Sequence, residues 1–435
     1  MVHRLYSLLQ ARLNGGSFFR SVLVLAGGAA LGQGLAVLAS PLLTRLYAPS
    51  DLGTLAAYTS ILSIPVVIAS LCYDLAIPLP VEDKTAAALL VLSLGIALGM
   101  TILVALLVWL LGDSIIARIN TPALGPYLWL VPVGFLGMAI YRALNQWAVR
   151  KQAFERIAQT KLTQSLSMVV TQLGFGLLHL APLGLLVGDL LGRIAGSGSL
   201  GSLAWRQIKT EVGSLSRADL GQALARYRRF PLLSSGSILL NSAGLQLPPL
   251  LLAGLYGPEI AGWFSLSQRV IGVPSTLVGQ AVAQVYLGTA ARLARKDIRA
   301  LHTLFLRTAQ RLALIGVAPL ALLALCGPWL FAFLFGEPWR EAGVYVRLLS
   351  TMLLLQLVAA PLSYTLSILE RQDLQLAWDA GRLLAVVGGF ALARGLEWPA
   401  QTAVLLYGGL MFIAYAVLLV LSNYAIGSRL RSHGG

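Results

Sequence analysis

The sequence predicts an all-α integral membrane protein of about twelve transmembrane helices, arranged as two six-helix lobes with a central cavity. Three observations point there: the apolar composition, a series of apolar runs of spanning length, and a lopsided distribution of basic residues among the loops. Of 435 residues, 57% are hydrophobic and 11% charged, and the mean hydropathy is +0.78, so water cannot be the main solvent. A helix needs about 20 mainly apolar residues to cross a hydrocarbon core of roughly 30 Å. That leaves room for ten to fourteen spans with short connections and none for a large soluble domain.

The net charge of +15 would suit nucleic acid, but the 32 Lys and Arg concentrate in particular loops between apolar segments. That placement speaks for membrane orientation and against a nucleic-acid partner. Cys72 and Cys326 are too few and too far apart for a disulfide or metal framework. Arg4, Arg12 and Arg20 precede an apolar run of about 26 residues, longer than the 7 to 15 of a cleavable signal core, which predicts a retained first helix.

Apolar runs bounded by charge, Gly or Pro place six spans near 20–46, 52–80, 85–111, 125–147, 157–179 and 182–203. A second six lie near 232–256, 260–288, 303–326, 343–366, 374–394 and 399–423. Consecutive loops must then alternate sides, and the basic ones should share the cytoplasmic side. With the N-terminus inside, 21 Lys and Arg fall in cytoplasmic segments, Lys161 counted among them, against Arg45, Arg118, Arg340 and Arg394 outside. Both termini are therefore expected in the cytoplasm.

The polar stretch from Trp205 to Pro231 contains "LSRADLGQALARYRRFP", read as a short amphipathic helix on an anionic lipid surface. It divides the chain into a lobe over 1–204, a linker over 205–231 and a lobe over 232–435. The halves repeat at one offset: Tyr47, Pro49, Gly53 and Pro65 recur 209 positions later as Tyr256, Pro258, Gly262 and Pro274. An even number of spans per half makes the repeat parallel, with its pseudo-two-fold along the membrane normal.

Pro65 and Pro274 sit inside the second helix of each half, where proline removes a backbone hydrogen bond; the residues leave both a packing kink and a hinge open. Seven arginines fall within spans: Arg142, Arg193, Arg269, Arg307, Arg311, Arg347 and Arg382. At about 3 kcal/mol each, leaving them unpaired would cost roughly 20 kcal/mol, so they must reach water or a partner. Arg142, Arg307, Arg311 and Arg347 lie within about two turns of a span end and are expected to snorkel to the interface. Arg193, Arg269 and Arg382 lie deeper, which favours a water-filled cavity.

Asp189 and Arg193 are spaced i, i+4, and Asp379 and Arg382 i, i+3, so each pair can neutralise itself on one helix face. Alternatively, a carboxylate releases its arginine on binding a proton or sodium ion and so couples transport to a gradient. Asp74, with no obvious local partner, is a third candidate for that role. His3, His179, His302 and His433 are scattered, with no Walker loop, zinc spacing or nucleophile elbow. No catalytic residue, metal or cofactor is expected.

Several strings carry a resemblance: "SPLLTRLYAPSDLGTLAAY", "YDLAIPLP", "FLFGEPWREAGVYVRLLS", and the stretch from Arg228 to Tyr286 that includes "FSLSQRVIGVPSTLVGQ" within a longer match from about 20 to 400. They resemble the polysaccharide-synthesis exporter family, the O-antigen flippases of the multidrug, oligosaccharidyl-lipid and polysaccharide exporter superfamily. The resemblance implies a two-lobed flippase for undecaprenyl-pyrophosphate-linked oligosaccharide with a cationic central cavity. It favours Arg269 as a cavity arginine, with Asn241, Gln246 and Gln268 as polar lining. It also implies membrane lipid, a polysaccharide polymerase and chain-length machinery as partners. Where relatives often read Leu, Arg, Tyr, Glu, this chain has Leu71, Cys72, Tyr73 and Asp74, without the arginine.

Two other readings stand beside this one. A multidrug or cation antiporter of the same superfamily would want deep carboxylates to outnumber arginines, whereas three of each are present. A membrane polysaccharide polymerase would be expected to carry a sizeable extramembrane loop, and the outside loops near 112–124 and 327–342 are short.

Overall fold

The computed structural model describes residues 27–432, except for the side chains at 210–212, 233, 234, 237, 273, 274, 276 and 281. Arg4, Arg12 and Arg20 therefore lie outside the described residues. Those described are almost entirely helical, with no strand among them. The first half comprises α1 (Gly27–Leu46), α2 (Pro49–Val66), α3 (Asp83–Ile119), α4 (Leu130–Arg150), α5 (Phe154–Leu177), α6 (Leu183–Ile194) and α7 (Ser197–Gly213). A short helix, α8 (Arg217–Arg226), leads to α9 (Ser235–Tyr256), α10 (Pro258–Lys296) and α11 (Ile298–Phe335). The chain continues as α12 (Arg340–Leu362), α13 (Tyr364–Ile368), α14 (Gln372–Gly395) and α15 (Ala400–Ser432). With α6 and α7 taken together, and α12 and α13 likewise, each of the twelve expected spans has a helical counterpart.

Among the described residues, eight helices are long and apolar enough to cross a membrane, or nine if the two parts of α10, bent by 41°, count as one span. The others, α2, α4 and α5, fall short. For α4 and α5 the reason is polar side chains such as Arg142, Asn145, Gln146, Lys161 and Gln164, all of which face a cavity. Elsewhere large apolar side chains point outward, Trp109 on α3 and Leu314 on α11 among them. An apolar outer surface of this extent is what hydrocarbon requires.

The chain forms two compact units that do not follow its halves. Among the described residues, unit 1 holds those from Gly27 to Ala39, Pro65–Gly112 and Pro126–Gly236; unit 2 holds Ser40–Ile64, Asp113–Gly125 and those from Ser237 to Ser432. Unit 1 is built on Trp147, Leu89, Leu90, Ile157 and Leu200, all buried. Its α5 and α6 pack closely because a Cβ on Gly192 would lie 2.6 Å from the Met168 side chain. Gly196, at φ +84°, lets the chain leave α6 directly against Thr160. α8 begins at a capping box in which Ser216 and Asp219 bond each other's backbone N–H. The Ser216 N–H, followed by Lys84 at 3.0 Å, holds the Asp219 carboxyl down to about 2.

In unit 2 the sequence repeat becomes a contact in space. A Cβ on Gly53 would lie 1.6 Å from the Pro258 carbonyl oxygen, and one on Gly262 would lie 1.9 Å from that of Pro49. The starts of α2 and α10 thus cross reciprocally, each glycine of the Pro-x-x-x-Gly motif seated on the other copy's proline, as a local two-fold demands. α11 and α12 cross in the same way at Gly327 and Gly343.

The predicted span over 52–80 is not one helix. α2 stops at Val66, one residue after Pro65. Turns and a 3-10 segment, Tyr73–Ala76, follow, with Leu71 and Cys72 both in the left-handed region at φ 49° and 62°. Pro274 lies in the break between Pro258–Gly272 and Leu277–Lys296 of α10, where a proline removes the bond that would keep the helix straight.

Candidate functional site

The break after α2 delivers Asp74 to the wall of a cavity of about 600 Å³ within unit 1. The other walls are α4, with Met138, Tyr141, Arg142, Asn145 and Gln146; α5, with Lys161, Gln164, Ser165 and Met168; and α6, with Asp189, Gly192 and Arg193. Irregular backbone in a membrane protein is tolerated where it is buried in protein or lines a cavity, and the segment around Asp74 is buried and reaches the cavity wall.

The charges are arranged as two pairs and one remainder. Asp74 is buried; its Oδ1 accepts from the Ser70 hydroxyl at 2.5 Å and its Oδ2 from Arg142 Nη2 at 3.3 Å. Arg142 also donates to the Val67 carbonyl at 3.4 Å. On α6, Arg193 Nε donates to Asp189 Oδ2 at 2.5 Å. Lys161 donates to Gln164 Oε1 at 3.3 Å and sits 4.9 Å from the centre of the Tyr141 ring. No carboxylate among the described residues pairs with it. The lining therefore carries three cations against two carboxylates. Gln164 also donates to the Arg193 carbonyl at 3.0 Å, tying α5 to α6 across the cavity floor.

Two expectations are corrected here. Arg142, expected to snorkel, is instead paired with Asp74, the partner that Asp74 lacks locally in sequence, 68 positions away. Lys161 does not belong to a loop, because α5 begins at Phe154 and carries it two turns into the helix.

Unit 2 contains a second cavity, of about 380 Å³, lined by α2, α9, α10, α12 and α15. Arg269, Gln246 and Gln268 all face it, together with Gln356, Tyr407 and Tyr415. Gln268 and Gln356 also line an adjoining hollow of about 210 Å³ with Ser275 and Gln280, which extends the polar track along α10. Arg382 and Asn241 are brought together elsewhere. Arg382 Nη2 donates to Asn241 Oδ1 at 2.9 Å, lies 3.3 Å from Asp379 Oδ1, and is stacked 4.7 Å from the centre of the Trp378 ring. Only 4% of Arg382 is exposed, so it is packed in the interior, not presented to the cavity.

Thus Arg193, Asp74 and Asp189 share one site, Arg269, Gln246 and Gln268 a second, and Arg382, Asp379 and Asn241 a buried cluster. Sequence reasoning missed Arg142 and Lys161 as cavity cations and Tyr407 and Tyr415 as lining. A signal for the first two was present: Tyr141, Arg142, Asn145 and Gln146 on α4, and Lys161, Gln164, Ser165 and Met168 on α5, recur at helical spacing within predicted spans.

A protein-family profile described as "Polysaccharide biosynthesis protein" matches residues 42–344. The teichuronic acid biosynthesis protein TuaB of Bacillus subtilis (strain 168) is 23% identical over 262 residues, which are 58% of this chain and 54% of that protein. The match thus spans about half the length of the curated relative. A multidrug resistance MATE family transporter of the MOP superfamily, in an inward-facing conformation, superposes with a TM-score of 0.64 at 16% identity, over 93% of this chain and 94% of the other. The lipid II flippase MurJ, in an inward closed conformation, superposes with a TM-score of 0.68 at 12% identity, over 92% and 87%. At these identities the likeness is one of fold.

Proposed function

The chain belongs to the polysaccharide biosynthesis protein family and has the fold of MATE-type and MurJ-type transporters, and from that premise we propose that it is a flippase for undecaprenyl-pyrophosphate-linked oligosaccharide. It moves this lipid from the cytoplasmic to the periplasmic leaflet of a bacterial inner membrane, both termini in the cytoplasm, during synthesis of O-antigen or exopolysaccharide. Membrane lipid, a polymerase and chain-length machinery are its partners, and a proton or sodium gradient its energy source.

One observation carries the reading: two spans, α4 and α5, give up apolarity to line a 600 Å³ cavity with cations in excess. A pyrophosphate bearing a glycan cannot cross hydrocarbon unaided, and it needs a hydrated, positive path while the polyprenyl tail stays in lipid. Guanidinium suits such a path because it stays charged when partly buried and grips phosphate oxygens through two parallel bonds. The amide and phenol groups of the unit 2 cavity offer the hydrogen-bonding surface that sugar hydroxyls need. Alternating access about the proline-bearing helices α2 and α10 would open the path to each side in turn. A transporter of cationic drugs would want the opposite charge balance.

In cells lacking the chain, lipid-linked glycan is expected to accumulate on the inner leaflet while surface glycan disappears. Undiminished surface glycan in that strain overturns the reading. Arg269→Ala is expected to stop glycan display at unchanged membrane levels of the protein; normal display removes Arg269 from the route.

A further inference from the structure

We propose that the unit 1 cavity is a diphosphate site in which Asp74 and Asp189 stand in for the ligand, holding Arg142 and Arg193 until phosphate oxygens take their place. The inference rests on the flippase reading for the identity of the anion and goes beyond it in assigning the site and its control.

The charge arrangement leads to this. Five charged residues line one cavity, Arg142, Lys161 and Arg193 against Asp74 and Asp189, a formal excess of one positive charge. The two arginines are paired yet open, their side chains 31% and 28% exposed, whereas their carboxylates are 2% and 10% exposed. A purely structural pair would gain by closing over both partners; here all four side chains line the cavity, and in each pair the arginine is the more open member. Each arginine can therefore turn to a new anion without leaving its pocket. The third cation, Lys161, is held by an amide oxygen and a ring face, partners that a phosphate outbids. In addition, the Asn145 amide oxygen is buried at this cavity with no hydrogen-bond partner among the described residues, an opening for a donor on the ligand.

The cations come from three helices, α4, α5 and α6, and so approach from three directions. A planar carboxylate offers two oxygens in one plane, and the resident aspartates already supply that. Linked phosphates present oxygens all around and carry about two charges, so they can engage Arg142, Lys161 and Arg193 together. The carboxylates then set the affinity: the ligand must displace them, which keeps binding weak enough for release on the far side.

The full-length protein, purified in detergent, tests this by calorimetric titration with inorganic pyrophosphate at neutral pH and fixed salt. Asp189→Asn frees Arg193 and is expected to tighten binding about tenfold, and Lys161→Gln to weaken it about tenfold, with Lys161→Arg restoring it. Size-exclusion profiles and thermal unfolding confirm that each variant is folded. Unchanged or weaker binding in Asp189→Asn overturns the stand-in role, because a structural carboxylate would not compete with the ligand. Glucuronate that binds as tightly as pyrophosphate, and competes with it, overturns the phosphate assignment. Surface glycan display separates this inference from the flippase reading. Intact display in Lys161→Gln with weakened pyrophosphate binding takes the site off the route and leaves the flippase standing. Intact display in cells lacking the chain, with pyrophosphate binding as expected in vitro, defeats the flippase reading and leaves the site.

Discussion

Each unit places an aspartate and an arginine on successive turns of one helix, and the surroundings give the two pairs opposite characters. In unit 1, Asp189 and Arg193 meet at 2.5 Å, with 28% of the arginine side chain exposed to a 600 Å³ cavity. In unit 2, Asp379 and Arg382 meet at 3.3 Å with 7% and 4% of their side chains exposed, closed in by Asn241 and Trp378. The spacing differs by one residue, but solvent decides what each pair can do. The open pair can exchange partners at small cost, since water replaces what is lost. The closed pair cannot, because either group left alone would be a bare charge in a dry interior. Its geometry is also imperfect: Asp379 Oδ1 and Arg382 Nε have no hydrogen-bond partner among the described residues.

The strongest way to break the comparison is to remove one member of the closed pair. Arg382→Ala leaves Asp379 without its cation and is expected to cost about 3–5 kcal/mol, read as a fall in thermal unfolding temperature in detergent. Asp379→Leu combined with Arg382→Met should recover most of that loss, because removing both charges leaves neither stranded. A single variant as stable as the wild type would mean the interior is wet, and the contrast between the units would vanish.

The second test asks whether unit 2 is the stiffly packed partner. Gly262→Ala puts a Cβ 1.9 Å from the Pro49 carbonyl oxygen, a backbone atom that cannot swing aside, so the crossing of α2 and α10 must open. The expected cost is about 1–3 kcal/mol. Gly198→Ala on α7 is the control, since nothing lies within 4 Å of its Cβ. It should be neutral or stabilising by up to about 1 kcal/mol, the helix preference for Ala over Gly. Equal effects at both positions would mean that the crossing is not under load.

Most of the fold was legible because membranes impose simple rules. Spanning runs are long and apolar, and the 209-residue offset included Pro49 and Gly53, which with Pro258 and Gly262 are the residues that cross in unit 2. What escaped was set by pairing across the chain. Asp74 and Arg142 are 68 positions apart, and only the break after Pro65, which no hydropathy scan registers, brings the carboxylate to the arginine. Lys161 was misplaced because charge counting assigns every lysine near a span end to a loop, whereas α5 tolerates one that faces a cavity. For Arg193 and Arg382 depth was readable, but which of them faces a cavity is a matter of helix rotation, and the sequence holds no direct record of it.

The smallest expected effect on stability is the most informative one. Arg193→Ala removes an arginine that is partly solvated, leaving Asp189 beside a cavity where water and Lys161 can compensate, so the cost should be at most about 1 kcal/mol, as for pairs in contact with solvent. Transport should respond in the opposite proportion. If the unit 1 cavity carries the headgroup as proposed, surface glycan should fall sharply in Arg193→Ala while the protein stays folded and inserted. Arg382→Ala should show a different profile, with display falling only as far as the amount of folded protein falls. Measuring folded protein by detergent-resistant fluorescence of a fused reporter, and display by glycan staining, places both variants on the same two axes. If Arg193→Ala loses folded protein and display in parallel, the open pair is structural like the closed one, and exposure does not distinguish the two.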